Sequence, residues 1–130
     1  RATYGACAAI LSDGSVVTWG PADSGGDSRA IRDHLKDVRQ IQATSRAFAA
    51  ILGDGSVVTW GHAESGGDSS AVRCQLQNVQ QIQATDRALA AILGDGSVLT
   101  WGDALYGGDC SAVRDQLRNV QQIQACGVAF

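Results

Sequence analysis

The chain has 130 residues, of which 45% are hydrophobic and 18% charged, and its formal net charge is −3. This composition excludes a chain kept disordered by low hydrophobicity and high charge. Ten basic against 13 acidic residues leave no basic footprint for nucleic acid. No apolar run approaches the roughly 18 residues needed to span a bilayer, so direct membrane insertion is not expected either.

An internal repeat of 41 residues organises the whole sequence. Trp19, Trp60 and Trp101 mark its period, and three units follow one another without gaps. Units one and two share 29 of 41 residues, and units two and three share 30. The predicted organisation is one array: 1–7 as the end of a preceding unit, then repeats at 8–48, 49–89 and 90–130. The first residue is Arg1 and no signal-peptide pattern follows, which indicates a processed chain or an excerpt from a longer array.

Each unit predicts a hairpin, a short helix and a third strand. In the second unit, residues 46–52 are apolar on both faces, which is typical of a strand buried between two layers. Asp54-Gly55 then predicts a tight turn in which both residues take positive φ, followed by a strand at 57–60. After a loop at 62–67, Asp68-Ser69-Ser70 has the side chains of a helix start.

The predicted helix rests on apolar residues at helical spacing. Val72, Leu76 and Val79 recur at i, i+4 and i+7, which describes one helical face of about two turns. The equivalent sets are Ile31, Leu35 and Val38 in the first unit and Val113, Leu117 and Val120 in the third. The alternation over 80–84 predicts the third strand. The predicted fold class is therefore a β-rich repeat protein with one short helix per unit, forming a propeller-like arc or an open solenoid.

These motifs carry a resemblance to a known family. Residues 79–84 and 88–93, the turn Asp95-Gly96, Thr100-Trp101-Gly102 and Tyr106-Gly107-Gly108 resemble the RCC1-type (regulator of chromosome condensation) repeat. The short 41-residue form is similar to RCC1-like arrays of algal protists that are labelled HERC-type ubiquitin ligases. The sequence departs from the family at its usual histidine, which is here Arg46, Arg87 or Val128, and in its glycine loop. The resemblance implies a repeat-built interaction surface and no reaction.

No motif predicts catalysis, a cofactor or a metal. His34 and His62 lie in different repeat registers, and neither has a nucleophile and a carboxylate at a suggestive spacing. The cysteines lack the spacing of a zinc site, and each Asp-Gly turn offers calcium only one carboxylate. The Gly-Gly pairs match no phosphate-binding loop. We therefore predict a protein that is not an enzyme, with no cofactor and no metal.

The tryptophans and cysteines are interpreted as structural. A Trp at the end of a strand in every unit indicates a stacking core with its indole N–H bonded to a nearby carbonyl. Cys7, Cys74, Cys110 and Cys126 occupy four different registers and are expected to be buried or half-buried free thiols. A pairing of Cys110 with Cys126 remains open. The thiols favour an intracellular compartment, and an organellar one stays possible.

The registers that vary between units point to the binding surface. Repeat proteins vary the binding loops while the frame stays fixed, and here the loop after Trp-Gly varies. Leu105-Tyr106 is its most partner-like position, being apolar and aromatic in a loop. The candidate partner-binding residues are Pro21, Asp23, His62, Glu64, Asp103, Leu105 and Tyr106.

Three functions remain open at this stage. The leading hypothesis is a non-catalytic scaffold that binds protein partners, within a larger assembly. The first alternative is a structural accessory subunit on the periphery of a large complex, such as an organellar membrane or photosynthetic complex. The second alternative is the recognition module of a ubiquitin ligase or a GTPase exchange factor.

Overall fold

The computed structural model describes residues 1–70, 72–109 and 116–128. Within these residues the strands form one two-stranded and two three-stranded antiparallel sheets. Sheet 1 contains β1 (Cys7–Ile10) and β2 (Val16–Trp19). Sheet 2 contains β3 (Val38–Ala43), β4 (Ala47–Leu52) and β5 (Val57–Gly61) in that order. Sheet 3 repeats it with β6 (Val79–Ala84), β7 (Ala88–Leu93) and β8 (Val98–Gly102).

The middle strand of each three-stranded sheet is buried on both faces, as predicted. Phe48 and Ala50 of β4 face sheet 1, where they pack with Ala8 and Leu35. The alternate residues of β4, Ala49 and Ile51, face sheet 3 and pack with its own residues. Because strand side chains alternate between faces, one apolar strand fills two interfaces at once. The core of this protein therefore lies between the sheets, one layer for each junction.

The hairpin turns differ from the prediction in one respect. Gly55 has a φ of 84°, but Asp54 is not among the residues with positive φ. The Gly55 N–H donates to the Leu52 carbonyl, and Leu52 N–H donates to the Ser56 carbonyl, which gives a three-residue loop with glycine last. The expectation that both residues of the Asp-Gly pair take positive φ was wrong. The Asp54 carboxylate instead accepts hydrogen bonds from the Ser56 N–H at 2.9 Å and hydroxyl at 2.6 Å.

The turn carboxylates predict a measurable loss of stability in acid. Hydrogen bonds from Ser15, Ser56 and Ser97 hold the pKa of Asp13, Asp54 and Asp95 below the ordinary value of 3.8. A depressed folded-state pKa gives stability that is present above pH 3.8 and is lost as the pH falls through the folded value. Replacing all three with Asn keeps an acceptor and removes the titration. We expect the urea midpoint of the wild type to fall more between pH 6 and pH 2.5 than that of the triple variant; parallel falls would contradict it.

The helical segments are shorter than predicted and are 3₁₀ in type. They cover Arg29–His34 in the first unit and Arg73–Gln75 in the second. Val38 and Val79, assigned to a helical face from their spacing, are the first residues of β3 and β6. Asp37 and Asn78 take φ values of 54° and 56°, which ends any helix before these valines. Val113 of the third unit lies outside the described residues.

The three sheets follow one another in a propeller-like arc. β3 lies beside β6, and β1 lies beside β3. A line of backbone hydrogen bonds joins equivalent residues of successive units: Tyr4 N–H to Ser45 carbonyl, Ser45 N–H to Asp86 carbonyl, and Asp86 N–H to Gly127 carbonyl. The distances are 2.9, 2.7 and 2.7 Å. This repeated contact sets each sheet against the next at one fixed register.

Candidate interaction surface

The loops after the Trp-Gly pairs share one backbone conformation. We name them loop 1 (20–26), loop 2 (61–67) and loop 3 (102–108). Each contains a single 3₁₀ turn, at Ala22–Ser24, Ala63–Ser65 and Ala104–Tyr106. Each turn ends at a glycine in the left-handed region: Gly25, Gly66 or Gly107, with φ of 93°, 102° and 98°. The three loops therefore present equivalent positions on the same edge of the arc.

Two threonine hydroxyls hold each loop against its own sheet. In the second unit, Thr59 donates to the Gly67 carbonyl at 3.1 Å, and Thr44 donates to the Ser65 carbonyl at 2.8 Å. The hydroxyl of buried Thr44 also accepts from the Ala47 N–H at 3.0 Å. The same bonds recur at Thr18 and Thr3 in loop 1 and at Thr100 and Thr85 in loop 3. These loops are consequently rigid platforms, since buried hydroxyl groups satisfy their inward carbonyls.

A tryptophan of the following sheet closes the back of a loop. The Trp60 indole N–H donates to the Gly25 carbonyl at 3.1 Å, and Trp101 donates to the Gly66 carbonyl at 3.1 Å. Both side chains are buried, and Trp60 stacks on Phe48 with ring centroids 5.3 Å apart. The predicted core role and carbonyl partner are thus confirmed for these two. The prediction was wrong for Trp19, which is 54% exposed because no described residue covers its face of sheet 1.

The second glycine of each Gly-Gly pair has a packing role that sequence reasoning missed. A Cβ on Gly108 would lie 2.5 Å from the Gly102 carbonyl oxygen and 2.7 Å from its carbon. A Cβ on Gly67 would lie closer still to the Gly61 carbonyl oxygen, and a Cβ on Gly26 closest of the three to that of Gly20. Each loop therefore folds back onto its own first residue, and only glycine leaves room for that approach. The recurrence of Trp-Gly with Gly-Gly six residues later was the signal available in the sequence.

Loop 1 carries the first two candidate residues. Pro21 stands before the 3₁₀ turn with φ of −60°, a value that proline fixes in any case. Asp23 is exposed at the tip, and its carboxylate forms an ion pair with Arg46 at 2.9 Å. Arg46 belongs to the next sheet, at the base of loop 2, where its carbonyl accepts from the His62 N–H. The ion pair therefore bridges loops 1 and 2 along the edge.

Loop 2 places a histidine and a carboxylate at the equivalent positions. His62 is half-buried, and its Nδ1 has no hydrogen-bond partner among the described residues. Glu64 is exposed at the tip, in the register of Asp23. Arg87, in the register of Arg46, does not pair with Glu64 and turns toward loop 3 instead. Among the described residues, the Glu64 carboxylate forms no ion pair, so it is available to a partner.

Loop 3 has the most apolar tip. Asp103 accepts from the Leu105 N–H at 2.9 Å and fixes the start of the turn. The Arg87 guanidinium lies 3.7 Å from the Asp103 carboxylate and 5.2 Å from the Tyr106 ring centroid. Leu105, at the tip of loop 3, is 88% exposed. A leucine, a tyrosine ring and an arginine therefore form one compact surface at the end of the edge.

The described residues contain no arrangement that points to metal chemistry. In residues 1–70, 72–109 and 116–128, no three His, Cys, Asp or Glu side chains are grouped to hold an ion. Cys7 is half-buried, whereas Cys74 and Cys126 are exposed, so the expectation of buried or half-buried thiols was wrong for these two. The open question of a Cys110–Cys126 pair falls outside the described residues. Within the described part of the chain, no helix has the length and apolar character to cross a membrane.

Comparisons with known proteins identify the class of fold. No protein-family model and no curated protein matches the sequence. A chain in the crystal structure of Kap60 bound to yeast RCC1 (Prp20) matches 91% of this chain with a TM-score of 0.61 and 17% identity. The crystal structure of human WBSCR16 matches 95% of it with a TM-score of 0.59 and 19% identity.

These similarities define a β-repeat, propeller-like protein with an RCC1-like fold. At identities below one fifth, they show the fold alone. The chain spans 33% and 40% of the lengths of those two chains, so it corresponds to a minor part of each. The resemblance of its sequence to the short 41-residue repeat form stays a prediction, as does its division into units.

Proposed function

We propose that this chain is a non-catalytic protein-interaction scaffold that binds a protein partner along the edge formed by loops 1, 2 and 3. One observation carries the proposal: the loops share their backbone, their threonine hydrogen bonds and their left-handed glycine, yet differ in the side chains at their tips. A fixed frame with variable tips is how repeat proteins build binding surfaces.

The tip of loop 3 is the proposed centre of that surface. Leu105 is 88% exposed, and burying such a side chain in a partner gives about 1.5–3 kcal/mol. Tyr106 is held by Arg87 on one side, and its carbonyl accepts from Thr85 at 2.9 Å. Tyrosine and arginine, like tryptophan, are enriched among the residues that contribute most to binding in protein interfaces. The partner is expected to offer an apolar pocket to Leu105 and a carboxylate near Arg87.

The test requires a purified partner. Crosslinking in the native source, followed by mass spectrometry, identifies neighbours of this chain, and each is then titrated against it by calorimetry. We expect saturable binding by the wild type and a loss of at least about tenfold in affinity for L105S/Y106S, the effect of removing central interface residues. Lys36→Ser, on the exposed surface outside the three loops, serves as the control and should bind as the wild type. Equal affinity for the double variant would refute the proposed centre.

A second function is the structural accessory subunit of a large complex. The crosslinking experiment separates the two functions, because a structural subunit yields neighbours in fixed ratio. A recognition module of a ubiquitin ligase or exchange factor remains a third proposal. It is supported only by the similarity of fold to the structure containing yeast RCC1.

A further inference from the structure

A polar cavity lies among the turns that join the first and second strands of sheets 2 and 3. These turns are on the same edge of the arc as the loops, because Thr44 bonds to a carbonyl of loop 2 and Thr85 to a carbonyl of loop 3. We name it the turn cavity. Its volume is about 360 Å³, at the lower end of the roughly 300–1,000 Å³ typical of ligand sites. It is lined by residues 2–4, 43–45, 84–86 and 125–127.

The four segments that line the turn cavity occupy the same three positions of the repeat. The first position is alanine in all four segments and the second is threonine in three, but the third differs in every one: Tyr4, Ser45, Asp86 and Gly127. Backbone hydrogen bonds place these four residues side by side, since the N–H of each of the first three donates to the carbonyl of the next. Ser45 and Asp86 are the middle members and have a neighbour on both sides. The turn cavity thus has a constant frame and one variable position, as the loops have.

Ser45 brings a buried hydroxyl without a partner to this cavity. The residue is 7% exposed, yet in the part of the chain that the structure describes its Oγ forms no hydrogen bond. The neighbouring hydroxyls differ, because Thr44 and Thr85 each donate to a loop carbonyl. Buried polar side chains are normally hydrogen-bonded, so an exception that lines a cavity requires a group from outside the chain, such as water or a ligand.

Asp86 gives the turn cavity its charge. It is the one charged residue among those that line the cavity. Its carboxylate lies over Gly127, where an added Cβ would be 3.4 Å from Oδ2, and it has neither an ion pair nor a hydrogen bond within the described residues. The guanidinium of the next residue, Arg87, turns to loop 3 instead. A free carboxylate near a free hydroxyl favours a positively charged hydrogen-bond donor.

We propose that the turn cavity binds a primary ammonium group on an unbranched carbon chain, and that its source is a lysine side chain of the protein partner. The inference rests on the proposed function, which supplies that partner. The ammonium donates one hydrogen bond to the Asp86 carboxylate and one to the Ser45 hydroxyl, and its third donor faces water. An ammonium suits two separate acceptors, whereas the planar guanidinium of arginine is matched to one carboxylate held in a bidentate pair.

The turn cavity also lies beside the proposed centre of the binding edge. Asp86 directly precedes Arg87, whose guanidinium is 5.2 Å from the Tyr106 ring centroid. Thr85, on the other side of Asp86, holds the Tyr106 carbonyl at 2.9 Å. A partner that covers the tip of loop 3 therefore borders the cavity and can place a neighbouring side chain in it.

The first experiment uses n-butylammonium chloride as the probe and the full chain labelled with ¹⁵N. At constant ionic strength, we expect its titration to shift the amide signals of Ser45 and Asp86 and to saturate in about the millimolar range, as befits a ligand of so few atoms. n-Butanol has a similar length and no charge, and it should give no saturable shift. Equal shifts by the two probes, or no shift by the ammonium, overturn the proposal.

Variants assign the binding to the two side chains. Asp86→Asn is expected to lower the affinity for n-butylammonium about tenfold, because the ammonium loses its counter-charge. Asp33→Asn removes an equal charge from an exposed position of the first unit and should bind as the wild type. Ser45→Ala should lower the affinity about threefold to tenfold without lowering the urea midpoint, since the hydroxyl it removes has no partner in the described chain. Circular dichroism checks that each variant keeps its fold. Equal affinity of Asp86→Asn and Asp33→Asn overturns the proposal.

The partner identified by crosslinking separates a lysine from a free amine. Asp86→Asn should lower the affinity for that partner about tenfold. One Lys→Gln variant of the partner should lose as much with the wild-type chain and nothing further with Asp86→Asn, as two members of one contact do. If L105S/Y106S weakens partner binding and Asp86→Asn does not, the proposed function stands and the lysine assignment is wrong. If Asp86→Asn alone weakens it, the turn cavity stands and loop 3 is not the centre of the surface.

Discussion

Replacing Trp60 with alanine is expected to lower the free energy of unfolding by about 3–5 kcal/mol, the range for large aromatic side chains removed from a core. Trp60 is 5% exposed, stacks on Phe48 and donates to the Gly25 carbonyl between two sheets. The same substitution at Trp19, one repeat earlier, is expected to cost less than about 1 kcal/mol, because that side chain is half exposed.

Trp19→Ala and Trp60→Ala can be compared directly, because each removes a tryptophan from the same position of the repeat. Urea unfolding followed by circular dichroism, at a concentration where the chain is monomeric, measures both. Trp60→Phe removes the indole N–H together with part of the ring, and the Gly25 carbonyl left without a donor contributes about 1–3 kcal/mol to its loss. If Trp19→Ala and Trp60→Ala cost the same, the layers between the sheets are not what holds this fold.

Local patterns in the sequence were sufficient to predict the strands. The apolar run at 46–52 corresponds to β4, and the alternation at 80–84 corresponds to β6. Both could be predicted because the buried faces of a strand carry apolar residues, which the sequence shows directly. Phe48 and Ala49, neighbours in β4, lie in separate core layers, as the predicted strand with two apolar faces requires. These features depend on a few neighbouring residues and on their period.

The predicted helix is present but shorter than expected, and Val79 lies outside it, because the same spacing of apolar residues has two explanations. The spacing of Val72, Leu76 and Val79 fits one helical face. The same spacing also occurs when a 3₁₀ turn is followed by a strand. What separates the two is Asn78, whose positive φ turns the chain between them, as Asp37 does one repeat earlier. Asn and Asp adopt this conformation more readily than most residues, so an Asn or Asp in this register of every unit was the signal to weigh.

The sequence predicted where the candidate surface lies but not which of its side chains contact one another. Variation between units selected the loops after Trp-Gly, and the structure places Pro21, His62 and Asp103 at equivalent positions in them. Nothing local indicates that Arg46 reaches back to Asp23 while Arg87 turns to Tyr106. These two contacts join residues more than ten positions apart in the chain, and they depend on the angle between the sheets.

Gly25→Ala is expected to lower the free energy of unfolding by about 2–5 kcal/mol, from two separate causes. Gly25 has a φ of 93°, and placing an L-residue in the left-handed region costs about 1–2 kcal/mol. Its Cβ would also lie 2.5 Å from Cδ2 and 2.7 Å from Cε2 of Phe48. That ring is stacked on Trp60 and cannot retreat without disturbing it, and such overpacking costs about 1–3 kcal/mol.

Gly5→Ala is the matched control, because its φ is not positive and its Cβ would meet only ordinary contacts at 3.5 Å and beyond. It should be neutral or stabilise the fold by up to about 1 kcal/mol, since alanine restricts the unfolded chain. Phe48→Leu, the residue found at Leu89 one repeat later, tests the steric cause. In that background the loss from Gly25→Ala should shrink toward its backbone part, because leucine changes rotamer more easily than a stacked ring. A loss that is equal in both backgrounds would assign the whole effect to φ and remove Phe48 as the reason for glycine at this loop.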